Sequence, residues 1–215
     1  MKYNHWIFDM DGTLTDSMGI WDEVPFALLE QYGRTPKPDL RQVLLPLGMA
    51  ESARYLIREY QLPLDEANYD AAVMEAVGRL YRTVELKPGV RKTLERLKAE
   101  GAHLCVCSNT WQPMCERVLG GLGVLDYFDF VLSAQDGFTK KEPAIFLEAM
   151  RRVGGHTPAE CVVCEDAVHA ARTAHRAGFP VIGIADYYSR ADEPEMRALS
   201  QQFLTSWEQL DWSKV

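Results

Sequence analysis

Basic runs, membrane-length apolar stretches and a cysteine framework are all missing from this chain, and each absence excludes something. The 215 residues hold 23 lysines and arginines against 31 aspartates and glutamates, a formal charge of -8. Without a basic cluster there is no electrostatic footprint for a nucleic-acid backbone or an anionic membrane surface, so neither is expected as a partner. No segment reaches the ~18 consecutive apolar residues of a membrane-spanning helix. The apolar stretch before Asp9 and Asp11 is too short for a secretory signal. Five cysteines, an odd number scattered through an acidic chain, fit free thiols in a reducing compartment better than disulfides. A cytoplasmic location is expected. Internal repeats and low-complexity tracts are absent as well.

What is present is apolar enough to bury a core, at 47% hydrophobic residues, and long enough for one domain or one domain carrying an insertion. Short runs rich in β-branched and aromatic residues at 3–8, 103–107, 128–132, 161–164 and 181–185 read as buried strands. Amphipathic helical periods at 90–100, 143–153 and 168–176 alternate with them, the pattern of a parallel sheet covered by helices. The fold class is therefore α/β. Between 17 and 86 the alternation stops. That stretch holds helical periods at 22–32, 51–60 and 65–83, punctuated by Pro36, Pro38, Pro46 and Pro63. It reads as a helical module inserted after the first strand's loop, which divides the chain into a core of 1–16 and 87–215 and an insert of 17–86. The tail beyond Tyr188, with Trp207 and Trp212, is expected to pack on the core.

Open α/β sheets bind ligands beyond the carboxyl ends of their strands, so the residues that follow each strand carry the functional signal. After the first come Asp9-Met10-Asp11-Gly12-Thr13; after the second, Ser108-Asn109-Thr110; ahead of the helix at 143, Lys140; after the strand at 161–164, Glu165-Asp166. Four carboxylates at one sheet edge repel one another and call for a cation. A hard, oxygen-preferring ion such as magnesium supplies it. With Lys140 and Ser108 alongside, the crevice suits a phosphoryl group. Asp9 can attack phosphorus, while Asp11, followed by a glycine that permits a sharp turn, can protonate the leaving oxygen and later activate water.

These segments, in this order, resemble the four motifs of the haloacid dehalogenase superfamily: Asp9-Met10-Asp11-Gly12-Thr13, Ser108-Asn109, Lys140-Lys141-Glu142-Pro143 with Phe146, and Glu165-Asp166. The inserted helices resemble the helical cap of its phosphoglycolate phosphatase and β-phosphoglucomutase-like branch. The resemblance implies a Rossmann-like core with a cap, and a magnesium-dependent phosphatase of small phosphorylated metabolites working through an aspartyl-phosphate. Asp9 would be the nucleophile and Asp11 the acid/base. Ser108, Asn109 and Lys140 would hold the phosphate. Asp9, Asp166, Glu165 and the backbone carbonyl of Asp11 would hold Mg2+. Lys141 stands beside Lys140 as a substitute, and Ala167 and Ala170 fill the places where the fourth motif usually continues with serine and glycine. The segment at 47–52 resembles the substrate loop of β-phosphoglucomutases but has Met49 where those mutases usually carry arginine. A phosphosugar mutase and a non-catalytic phosphometabolite binder are the alternatives.

Other residues have plainer readings. Asp16 suits a cap for the next helix. Cys161 and Cys164, three apart on a strand, point to opposite faces and so do not form a metal pair; Cys105 and Cys107 share a face but lack a second pair nearby. His169 reads as a surface residue of its helix. Met18, Trp21 and Trp111 are positioned either to line a substrate pocket or to pack between cap and core. Largely apolar residues of this kind suggest few contacts beyond the phosphate and a broad substrate range.

Overall fold

The computed structural model describes residues 2–215; Met1 and the side chains of Met49, Ala50 and Glu66, the first two within the mutase-like loop segment, lie outside the described residues. The elements run β1 (His5–Phe8), α1 (Ile20–Gln31), α2 (Leu40–Leu44), α3 (Met49–Glu59), α4 (Glu66–Leu80), α5 (Val90–Ala99), β2 (His103–Ser108), α6 (Gln112–Gly121), β3 (Phe130–Ser133), α7 (Ala144–Arg152), β4 (Cys161–Glu165), α8 (Val168–Arg176), β5 (Val181–Ile184), α9 (Glu193–Leu199) and β6 (Gln202–Leu204). Among the described residues, no helix is long and apolar enough to cross a membrane. The chain divides into two compact units, Met1–Asp16 with Val84–Val215, and Ser17–Thr83. The first unit regains the chain at Val84 because backbone bonds tie its two segments together. The Asp16 N–H donates to the Glu85 carbonyl at 3.0 Å and the Lys87 N–H to the Leu14 carbonyl at 2.9 Å.

The first unit is a six-stranded sheet of order β3-β2-β1-β4-β5-β6, parallel throughout. Its central strands are apolar on both faces because helices cover both. Trp6, Ile7 and Phe8 of β1 are wholly buried. The helices present matching stripes, such as Val168, Ala170, Ala171 and Ala174 on α8, and Ile145, Phe146 and Ala149 on α7 join them in one core. Each sequence-predicted strand is present. The run at 128–132 is paired two residues later than expected, over 130–133, after a short turn at Leu125–Tyr127. β6 was not expected, being a three-residue strand that exists by pairing with β5. In the tail, Trp207 is buried, its ring tilted on Phe8 at 5.6 Å. Trp212 is covered by the Arg96 guanidinium at 3.9 Å.

The second unit is all-helical among its described residues. Val24, Leu28 and Leu29 of α1, Leu56 of α3, and Val73, Ala76 and Val77 of α4 are buried. Polar bonds link α1 to α4: Arg79 donates to the Ala27 carbonyl at 3.2 Å and to Gln31 Oε1 at 3.0 Å. The Asp65 carboxylate caps α4 through the N–H groups of Ala67 and Asn68. Asp16 does not cap α1, whose N-cap position is Gly19, three residues further on.

Candidate active site

Strand order reverses beside β1, with β2 and β3 on one side and β4 to β6 on the other. Such a switch point opens a crevice at the carboxyl ends of the strands. The ladder continues one residue beyond β1, where the Asp9 N–H donates to the Cys164 carbonyl at 2.9 Å. That bond sets Asp9 beside Glu165, the last residue of β4. The chain then turns on the Met10 carbonyl, which accepts from the N–H groups of Leu14 and Thr15 at 2.9 and 3.0 Å. Gly12 sits in this turn at φ 79°, a left-handed conformation that glycine adopts without a Cβ penalty.

Asp9, Glu165 and Asp166 are buried, with a carboxylate oxygen of each within 4.8 Å of the others. Lys140, from the loop before α7, is buried among them and pairs with Asp9 Oδ1 and, at 2.6 Å, with Glu165 Oε1. Burial lowers the Lys140 ammonium's affinity for its proton, but Asp9 and Glu165 outweigh it and hold its pKa well above the usual lysine value. Burial pushes the Asp9 pKa well up, against the pull of Lys140. Asp166 is pushed up to about 7 by burial and by the charges of Glu165 and Asp186. One ammonium facing three carboxylates leaves an excess of negative charge in a dry place. A hard cation held by these oxygens would relieve it, so the donor set fits a divalent ion such as magnesium.

Asp11 is placed differently. Its carboxylate lies outside the three-acid group and accepts from Thr110 Oγ1 at 2.7 Å. Ser108, buried at the end of β2, accepts from the Thr110 N–H at 3.0 Å. The Asn109 side chain is exposed, and its carbonyl accepts from Gln135 Nε2 at 3.3 Å. Lys141 is exposed, whereas Lys140 is buried. His169 is exposed on α8, and all five cysteines are buried and free.

Further polar residues converge here that the sequence reading left without a role. Thr13 Oγ1 donates to Asp166 Oδ1 at 3.3 Å, and Ser189 Oγ to Asp166 Oδ2 at 3.2 Å. Lys87 pairs with Asp186 at 2.8 Å and donates to the Ala185 carbonyl at 2.8 Å. Asp186 stands two residues beyond β5, and the residues after a strand end, the signal that marks Asp9, mark it as well.

Residues 6–184 match the sequence profile of the haloacid dehalogenase-like hydrolases. The chain belongs to this family. Among curated relatives, a Drosophila melanogaster protein named probable pseudouridine-5′-phosphatase is 28% identical over 193 residues, covering 86% of this chain and 83% of its own. Hexitol phosphatase B of Escherichia coli K12 is 28% identical over 169 residues, covering 76% of this chain and 75% of its own. The hydrolase fold is shared by the crystal structure of CbbY from Rhodobacter sphaeroides in complex with phosphate. That structure superposes with a TM-score of 0.75 at 24% identity, over 97% of this chain and 96% of that one.

Proposed function

We propose that this hydrolase is a cytoplasmic, magnesium-dependent phosphatase of small phosphorylated metabolites that works through an aspartyl-phosphate at Asp9. The reading is carried by the burial of Asp9 between Lys140 and the two further acids at the switch point, with Asp11 held apart on a separate hydrogen bond. The phosphatase names of the relatives support it.

In the first step a carboxylate oxygen of Asp9 forms a bond to phosphorus, the ester P–O bond breaks, and the leaving oxygen takes a proton from Asp11. In the second, water attacks phosphorus and yields a proton to Asp11, the bond between phosphorus and the Asp9 oxygen breaks, and inorganic phosphate departs. Lys140 offsets charge on Asp9 and on the transferred group, while Ser108 and Asn109, at the end of β2, hold phosphoryl oxygens. Magnesium, held by Asp9, Glu165, Asp166 and the Asp11 carbonyl, would supply charge stabilisation when bound. The helical unit Ser17–Thr83 serves as the cap of this branch.

Phosphate release from a panel of phosphorylated sugars, nucleosides and small acids, with p-nitrophenyl phosphate as reference, tests the reading. Turnover should require magnesium and stop with EDTA. Asp9→Asn should abolish it, and Asp11→Asn should slow it by about 100-fold or more. Free phosphate distinguishes hydrolysis from a mutase, which would return an isomeric sugar phosphate. No turnover of any monoester, with Asp9→Asn binding ligand as tightly as wild type, would make the protein a binder and not an enzyme.

A further inference from the structure

Thr110 makes a bond that the two-aspartate scheme does not require. Its hydroxyl donates to Asp11 Oδ2 at 2.7 Å across 99 residues of chain. Thr110 is itself held in place on both sides. Its N–H donates to Ser108 Oγ at 3.0 Å, and its carbonyl accepts from Ser133 Oγ at 2.9 Å and from the Cys115 thiol at 3.4 Å. The residue is buried, and a β-branched side chain on a fixed backbone has few χ1 choices. The hydroxyl is therefore aimed by β2, β3 and α6 together.

We propose that Thr110 is a positioning residue for both proton transfers, orienting the Asp11 carboxyl group toward the reacting oxygen. The proposal rests on the assignment of Asp11 as acid/base. Asp11 stands at the turn built on Gly12 and is only half-buried, so a fixed hydroxyl bonded to its carboxylate narrows its choice of rotamer. A hydroxyl that donates to Oδ2 takes up one lone pair of that oxygen and fixes the plane of the carboxyl group through which Asp11 gives a proton to the leaving group and takes one from water. Small misplacements of a proton-transfer group are costly because productive geometry is narrow.

The test separates the two steps. Acetyl phosphate loads Asp9 without a proton donor, because acetate is a good leaving group; discharge of the phosphoenzyme by water still needs Asp11 as base. Thr110→Val removes the hydroxyl at nearly constant volume, and Thr110→Ser keeps it. Rapid-mixing measurement should find Thr110→Val loading within about threefold of wild type but releasing phosphate at least about tenfold more slowly, with Thr110→Ser close to wild type. Release at the wild-type rate in Thr110→Val overturns the proposal. So does an equal slowing of loading and release, the mark of a purely structural bond. If Thr110→Val does not fold, Thr110→Ala takes its place in the comparison. A wild-type protein that acquires no phosphate from acetyl phosphate would instead overturn the aspartyl-phosphate reading beneath it.

Discussion

Replacing Lys140 by methionine, similar in length but uncharged, should cost the metal-free protein a large part of its stability. The ammonium is buried, as are both carboxylates it meets, Asp9 and Glu165, and a third acid, Asp166, stands within the same cluster. Removing one partner of a buried ion pair costs about 3–5 kcal/mol, mostly because the remaining charges are stranded. For a chain of this size that is a loss of about 6–20 °C in melting temperature. Protonation limits the loss. Burial already raises the pKa of Asp9, and without Lys140 it rises further, so the acid takes up a proton in the folded state. Each unit of such a rise is worth about 1.4 kcal/mol. A carboxyl whose folded pKa lies above its unfolded value favours the folded state less as pH increases. The gap between wild type and Lys140→Met should therefore be small near pH 5 and widest near pH 8. Thermal melts in EDTA across that range, followed by circular dichroism, measure it. Adding Glu165→Gln should recover part of the loss, with a coupling of about 1–3 kcal/mol between the two positions. If Lys140→Met melts within about 2 °C of wild type at pH 8, less than 1 kcal/mol is at stake and Lys140 does not offset the acids.

Three other outcomes follow from the packing. Gly89 has φ 87°, and a Cβ there would lie 2.6 Å from the Glu208 nitrogen, so Gly89→Ala should lose about 2–4 kcal/mol in urea unfolding; an unchanged midpoint would contradict the close approach. Burial pushes the Cys107 and Cys161 thiols up to about 12, and all five thiols are buried and free. Ellman's reagent at pH 8 should therefore label none in the native protein and all five in denaturant, and fast labelling of the native state would refute the core assignment. The His5 pKa is lowered by burial and by the neighbouring His103 and His156, against an opposing effect of Glu160. The unfolded chain then binds more protons just below pH 6.5, so this residue's contribution to stability is full above that pH and is lost as pH falls. His5→Asn should flatten the acid limb of the stability profile, and an unchanged limb would show that His5 is not its source.

The parts of the site legible in the sequence are those that parallel-sheet geometry delivers without further information. Asp9, Ser108 and Glu165 each close or follow an apolar run, and parallel strands in register bring their ends together whatever the loops do. Lys140 is of another kind. It lies in a loop without periodicity, 131 residues from Asp9, and its neighbour Lys141 offers the same charge; only the direction of the chain into α7 buries one and exposes the other. Spacing from Phe146 favours Lys140, but spacing alone does not carry the direction of a side chain. Thr110 is visible in the sequence as part of Ser108-Asn109-Thr110, but nothing local marks it out, because its role depends on a bond to Asp11, 99 residues away. β6 was hidden for a related reason. Three residues beginning with Gln202 show no alternation of their own, and they are extended because Ile182, Gly183 and Ile184 pair with them. Asp16 failed as a cap through an offset in the chain: the helix starts at Ile20, with glycine and not aspartate at its N-cap. Local chemistry thus nominates groups near strand ends, whereas the choice between adjacent candidates is made by contacts distant in sequence. Proton-positioning residues such as Thr110 belong to the second class, since what defines them is the partner they hold.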